Sequence, residues 1–110
     1  MDTPNNIIKG CFDTLLAATV ADDYERFISV GSKSFKSGLK PEMFHPVSEW
    51  LAPRLKKGFA STFFGELRQH GNSVFFWRLR FDAGGDDLLF RMAMEDGKVT
   101  GALVTPAFSK

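Results

Sequence analysis

Few residues in this chain have the types and spacing that chemistry needs. There are two histidines, His45 and His70. A general acid or base needs a positioned partner, and a nucleophile needs an adjacent base. His45 lies between Phe44 and Pro46 near a helix start, and His70 closes a strand-like run beside Gly71. They do not form a metal pair on one element, and no carboxylate cluster completes a metal set. Both read as surface or capping histidines. Asp82, Asp86 and Asp87 surround Gly84-Gly85. The segment lacks the ligand spacing and terminal glutamate of a calcium loop, so turn formation accounts for these acids. Nor is it a phosphate loop, since no Lys-Ser/Thr follows into a helix. Cys11 is the only cysteine. It falls on an apolar helical stripe, where a thiol is inert, and it excludes an intrachain disulfide or a multi-cysteine metal site. No catalytic residue, metal or cofactor is expected.

The bulk of the chain sets the class. Its 110 residues fit a single domain over 1–110 that can bury a sizeable core without staples. A net charge of +1 lacks the basic footprint of a nucleic-acid binder or a membrane-surface protein. No segment approaches the roughly 20 apolar residues of a spanning helix. The run from Leu15 to Ala21 is too short and too poorly flanked for a signal peptide, so it reads as helix. A cytoplasmic location is expected. Phenylalanine is abundant, with 12 residues, which implies a bulky aromatic core or a cavity lined by rings.

Periodicity supplies the elements. Thr3-Pro4 suits a helix start. Ile7, Ile8, Cys11, Phe12, Leu15 and Leu16 then share one helical stripe, predicting a helix from about Pro4 to Thr19. Asp22 and Glu25 resemble a capping box for a second helix carrying Tyr24, Phe27 and Ile28, ended by Gly31. Ser32 to Lys40 reads as a loop with room for one short strand. Pro41, Pro46 and Pro53 predict a broken third helix over about Pro46 to Lys57, with Val47, Trp50, Leu51 and Leu55 buried.

From Phe59 the period changes to two. Four strands fit, at about Ala60 to His70, Ser73 to Asp82, Asp86 to Glu95 and Lys98 to Thr105. Asp96-Gly97 and Gly84-Gly85 read as two-residue hairpin turns, and Gly71-Asn72 marks the first turn, whose length is open; a three-residue loop, Gly71 to Ser73, gives the β1 pairing and face that follow. This register pairs Glu95 with Lys98, Met94 with Val99, Trp77 with Met92, and Glu66 with Arg78. It places Phe63, Leu67, Phe75, Trp77, Leu79, Phe81, Leu88, Phe90, Met92, Met94, Val99 and Leu103 on one face, which the helices must cover. The other face carries Phe64, Glu66, Arg68, Phe76, Arg78, Arg80, Leu89, Arg91, Ala93, Thr100, Ala102 and Val104.

The order of elements, with Leu55-Lys56-Lys57-Gly58, Val74 to Leu79, Asp86-Asp87-Leu88-Leu89 and Asp96-Gly97-Lys98-Val99, resembles the nuclear transport factor 2-like superfamily of cystatin-like fold, and in particular small bacterial members of unassigned function. The resemblance implies an α+β, cone-shaped domain with N-terminal helices packed on a curved four-stranded antiparallel sheet. It also implies a pocket between the layers and frequent dimers through the open sheet face. It implies no one activity, since members range from isomerases, dehydratases and cyclases to binding adaptors.

Two candidate sites follow. Tyr24, Trp50, Phe63, Trp77, Phe90 and Met92 are the candidates to line a pocket, the alternative being that they are simply core. Phe64, Phe76, Arg78, Arg80, Leu89 and Arg91 mix arginine with apolar side chains, the composition of a protein interface. Single-stranded nucleic acid is disfavoured there because Glu66, Asp82, Asp87 and Glu95 blunt the field. The expected function is small-ligand binding or protein interaction as a homodimer, with an enzyme acting on a small hydrophobic substrate as the alternative.

Overall fold

The structure, a computed structural model, describes residues 5–106. Helices α1 (Asn6–Ala21), α2 (Tyr24–Ile28), α3 (Lys33–Gly38) and α4 (Pro41–Lys56) precede strands β1 (Phe59–Gln69), β2 (Asn72–Phe81), β3 (Leu88–Glu95) and β4 (Lys98–Pro106). The strands form one open antiparallel sheet in the order β1-β2-β3-β4. This is the α+β arrangement, helices first and a four-stranded antiparallel sheet second, that the sequence predicts.

The helices start where side chains satisfy free backbone donors. Asn5 caps α1 by accepting from the Ile8 amide at 2.9 Å. The expected cap, Thr3, lies outside the described residues. Asp22 does not open α2. It closes α1 in a left-handed conformation, and Asp23 is the cap that accepts from the Arg26 amide. The stretch expected to be a loop contains α3, capped by Ser32, with Phe35 as its buried anchor.

Helix α4 corrects the sequence reading most. It is continuous from Pro41, although it contains Pro46 and Pro53. Both prolines are exposed, so the carbonyls they leave without an amide partner can be hydrated. The longer helix buries Phe44, Ser48, Leu51, Ala52 and Leu55. Val47 and Trp50, expected inside, lie about half exposed, at 49% and 52%.

Around β2 and β3 the core follows the predicted face. Phe75, Trp77, Leu79, Phe81, Leu88, Phe90, Met92, Met94 and Val99 are all buried, while Arg78 and Arg80 are not. Cys11, Phe12, Leu15 and Leu16 of α1 close this core from above. Ile7, expected on the same stripe, is exposed. The β2–β3 register differs by two residues from expectation, with Leu79 opposite Leu88 and Trp77 opposite Phe90. A two-residue slip preserves the face, because side chains alternate with period two. It arises because β2 ends against β1, with Phe81 opposite Phe59, and Gly84-Gly85 lies within a wider loop. The first hairpin, whose turn length the sequence leaves open, turns through His70-Gly71, both with positive φ, so the pairing that a three-residue loop would give does not form. Asp96-Gly97 forms the predicted turn, with Glu95 opposite Lys98.

Two bulges separate the edge strands from the predicted pattern. One lies between Phe63 and Gly65 and the other between Val99 and Gly101. An extra residue transfers everything beyond it to the other face. Leu67 therefore stands opposite Val74, and Leu103 opposite Arg91, on the open face. Ala102 and Val104 turn inward, opposite Met92 and Phe90. Glu66 lies opposite Phe75, not Arg78.

Candidate functional site

The six pocket candidates do not come together around one cavity. Trp77 and Met92 are solid core: the Trp77 indole stacks on Phe12 at 4.0 Å between ring centroids. Phe63 packs against Trp77 at 5.3 Å. Trp50 is on the outer side of α4 beneath the Arg54 guanidinium, which also covers Phe81. Tyr24 donates its hydroxyl hydrogen bond to the carbonyl of Leu39, tying α2 to the end of α3. Phe90 does line a cavity, but on a wall built from residues the sequence reading passed over.

That cavity lies between the helical layer and β4. Phe27, Leu39, Met43, Phe44, Val47 and Leu51 form one side, and Phe90 with Ala102 to Val104 the other. Its volume is about 120 Å³. Thr19 and Ser48 are its polar neighbours, and both are already satisfied. The Ser48 hydroxyl donates to the Thr19 carbonyl, and the Thr19 hydroxyl to the Leu15 carbonyl, each at 2.8 Å. Among the described residues, no Asp, Glu, His, Lys or Arg lines it. A sequence signal for this site is the Met43 and Val47 spacing, which sets two apolar side chains one turn apart on a helix begun at Pro41.

The open sheet face brings the second group together. Phe64, Gly65, Glu66, Leu67, Phe76 and Leu89 surround a shallow groove of about 470 Å³. Phe64 and Leu67 are 58% and 51% exposed, so the groove is apolar surface in water. The Arg78 guanidinium lies over the Phe64 ring, 6.0 Å from its centroid, and its Nε is 3.9 Å from Asp87. Arg91 donates to the Gln69 side chain at 3.3 Å, and Arg80 is free to solvent. Leu67, which the sequence reading placed beneath the helices, belongs to this patch because of the bulge beside it.

Of the two histidines, His45 has a partner. Its Nδ1 donates to the Asp22 carboxylate at 2.8 Å, joining α4 to the end of α1. That hydrogen bond holds the Asp22 carboxyl below its ordinary value. His70 sits exposed in the first hairpin turn. Burial pushes the Cys11 thiol up, away from a reactive thiolate. Among the described residues, no three His, Cys, Asp or Glu side chains cluster as metal ligands, and no helix is long and apolar enough to cross a membrane.

No family model matches the chain, and no curated protein does either. Among solved structures it is similar to an NTF2-like protein of unknown function from Cytophaga hutchinsonii, at 12% identity, covering 96% of this chain and 94% of that one, with a TM-score of 0.47. A likeness so distant carries no residue roles. The architecture rests on the element order and strand pairing described above.

Proposed function

We propose that this chain is an NTF2-like domain that works by binding, as a cytoplasmic homodimer joined through the open face of its sheet. The observation that supports this reading is the groove between Phe64, Leu67, Phe76 and Leu89. Contiguous apolar surface of this kind marks contact sites. In a two-fold interface the same patch meets itself, so Phe64 and Phe76 of each copy would supply the apolar centre. Arg80 and Arg91 would then interleave with Asp87, which lies beside Arg78, across the rim.

The alternative, an enzyme for a small hydrophobic substrate, has less support. Sites for drug-sized molecules usually measure about 300–1,000 Å³. The cavity beside β4 is about 120 Å³, and among the described residues no ionisable side chain lines it. Light scattering at tens of micromolar should return a dimer mass for the wild type, and Phe76→Glu should return a monomer. A wild-type monomer at that concentration would sink the dimer reading.

A further inference from the structure

We propose that the outer edge of β4 takes up an extended, apolar segment of a partner protein as a fifth strand, with one of its side chains entering the cavity beside α4. The inference does not rest on the open-face dimer, which uses the other surface of the sheet.

Three observations carry it. The first is the state of the edge. β4 pairs with β3 alone, apart from one parallel bridge between Gly31 and Val99. In that bridge the Ser32 amide donates to the Val99 carbonyl at 2.8 Å, and the Val99 amide to the Val30 carbonyl at 2.9 Å. The chain thus begins a fifth strand itself and then leaves the edge as α3. Antiparallel pairing alternates inward and outward backbone groups. Beyond the bulge, this points the N–H and C=O of Ala102 and Val104 outward. Among the described residues no backbone group pairs with them.

The second observation is chemical. Proteins blunt exposed sheet edges with charges, prolines or irregularities. The other edge strand, β1, carries Glu66 and Arg68 beside its bulge. β4 has a bulge too, with Lys98 at its start and Pro106 at its end, but the seven residues between, Val99 to Thr105, read Val-Thr-Gly-Ala-Leu-Val-Thr, without a charge. An edge left this bare is a template for another strand.

The third is the cavity, which lies along that edge. Met43 and Val47 of α4 face Ala102 to Val104 across it. An apolar cavity of roughly 150 Å³ holds a benzene, so about 120 Å³ suits one leucine- or valine-sized side chain. Strand addition supplies that geometry, since backbone bonds to the edge bring every second side chain over the helical side.

The test uses the Phe76→Glu protein, so that dimerisation through the open face does not enter. The probe is a fluorescein-labelled heptapeptide, Lys-Leu-Thr-Val-Thr-Leu-Lys, with two further versions N-methylated at alternate residues in the two opposite phases. Saturable binding below millimolar concentration is expected. One methylated phase should weaken it at least tenfold, and the other should leave it nearly unchanged. Val47→Glu, at a half-exposed position that tolerates charge, should weaken it by a similar factor while circular dichroism stays native. Amide exchange at Ala102 and Val104 should slow on peptide addition. Absence of saturation up to millimolar, equal tolerance of both methylated phases, or occupation of the edge by a second copy of the chain would overturn the proposal.

Discussion

The ring of Phe12 lies flat on the indole of Trp77, with centroids 4.0 Å apart and planes within 4°. This contact fastens α1 to the middle of the sheet, and Phe90 meets the same ring edge-on at 5.2 Å. Both Phe12 and Trp77 are almost wholly buried. Phe12→Ala should therefore cost about 3–5 kcal/mol of stability, the usual range for a buried ring. Phe12→Leu, which keeps much of the volume, should cost less. Urea unfolding followed by circular dichroism measures both. A loss below about 1 kcal/mol for the alanine variant would mean that the two layers are held elsewhere.

The Asp22–His45 pair gives an acid-sensitive tie between α1 and α4. The folded-state pKa of Asp22 is lowered, first by the hydrogen bond with His45. A depressed carboxylate contributes stability that is fully present above its unfolded pKa and is lost as pH falls through the folded value. Asp22→Asn should destabilise the protein at neutral pH, with the gap to wild type closing below the ordinary carboxylate range. Asparagine tolerates the left-handed backbone at this position, so the substitution isolates the charge. Thermal melts across pH 2 to pH 7 should show the two curves converging at the acid end.

Gly58 joins α4 to the sheet at φ +107, and its carbonyl accepts from the Asp82 amide at 2.9 Å. A Cβ there would lie 2.3 Å from an Asp82 carboxylate oxygen. Gly58→Ala should cost about 1–3 kcal/mol from backbone strain. Adding Asp82→Ala should recover the part due to the clash and leave the strain. A double-mutant cycle in urea separates the two contributions.

Proton transfer on activated ketones should be absent. That chemistry needs a carboxylate base and donors aimed at a developing oxyanion within an apolar pocket. Among the described residues, no acid or histidine lines the cavity beside β4, and the Thr19 and Ser48 hydroxyls are engaged with backbone carbonyls. A spectrophotometric assay with a 3-oxo-Δ5-steroid should show no rate above buffer. Turnover abolished by a single Asp, Glu or His substitution would refute this.

The sequence made the centre of the sheet legible and its edges opaque. Trp77 and Arg78 sort onto opposite faces because alternation in β2 survives even a register error of two residues. Leu67 and Leu103 are misplaced by strict alternation because a bulge needs only one added residue; Gly65 and Gly101, which stand at the two bulges, are the signal that alternation alone ignores. The helical layer failed for another reason. Pro46 looks like a helix breaker until it is known to face water, and without Pro41 as the start the buried stripe rotates onto Val47 and Trp50. The interface candidates Phe64, Phe76 and Leu89 do share a groove. The pocket candidates dispersed because aromatic residues mark burial, which is shared by a filled core and a cavity wall alike.

The strand order has a kinetic consequence. Each strand pairs with its neighbour in sequence, so the whole sheet can close through three hairpins of short loop length. Closing short loops loses little chain entropy, and chains dominated by such local contacts fold fast. The demanding step is the return of the N-terminal segment, which must place Phe12 on Trp77 and Gly31 beside Val99 across most of the chain. Until it does, the apolar underside of the meander is in water, and the interval before α1 docks is when the chain is most prone to aggregate.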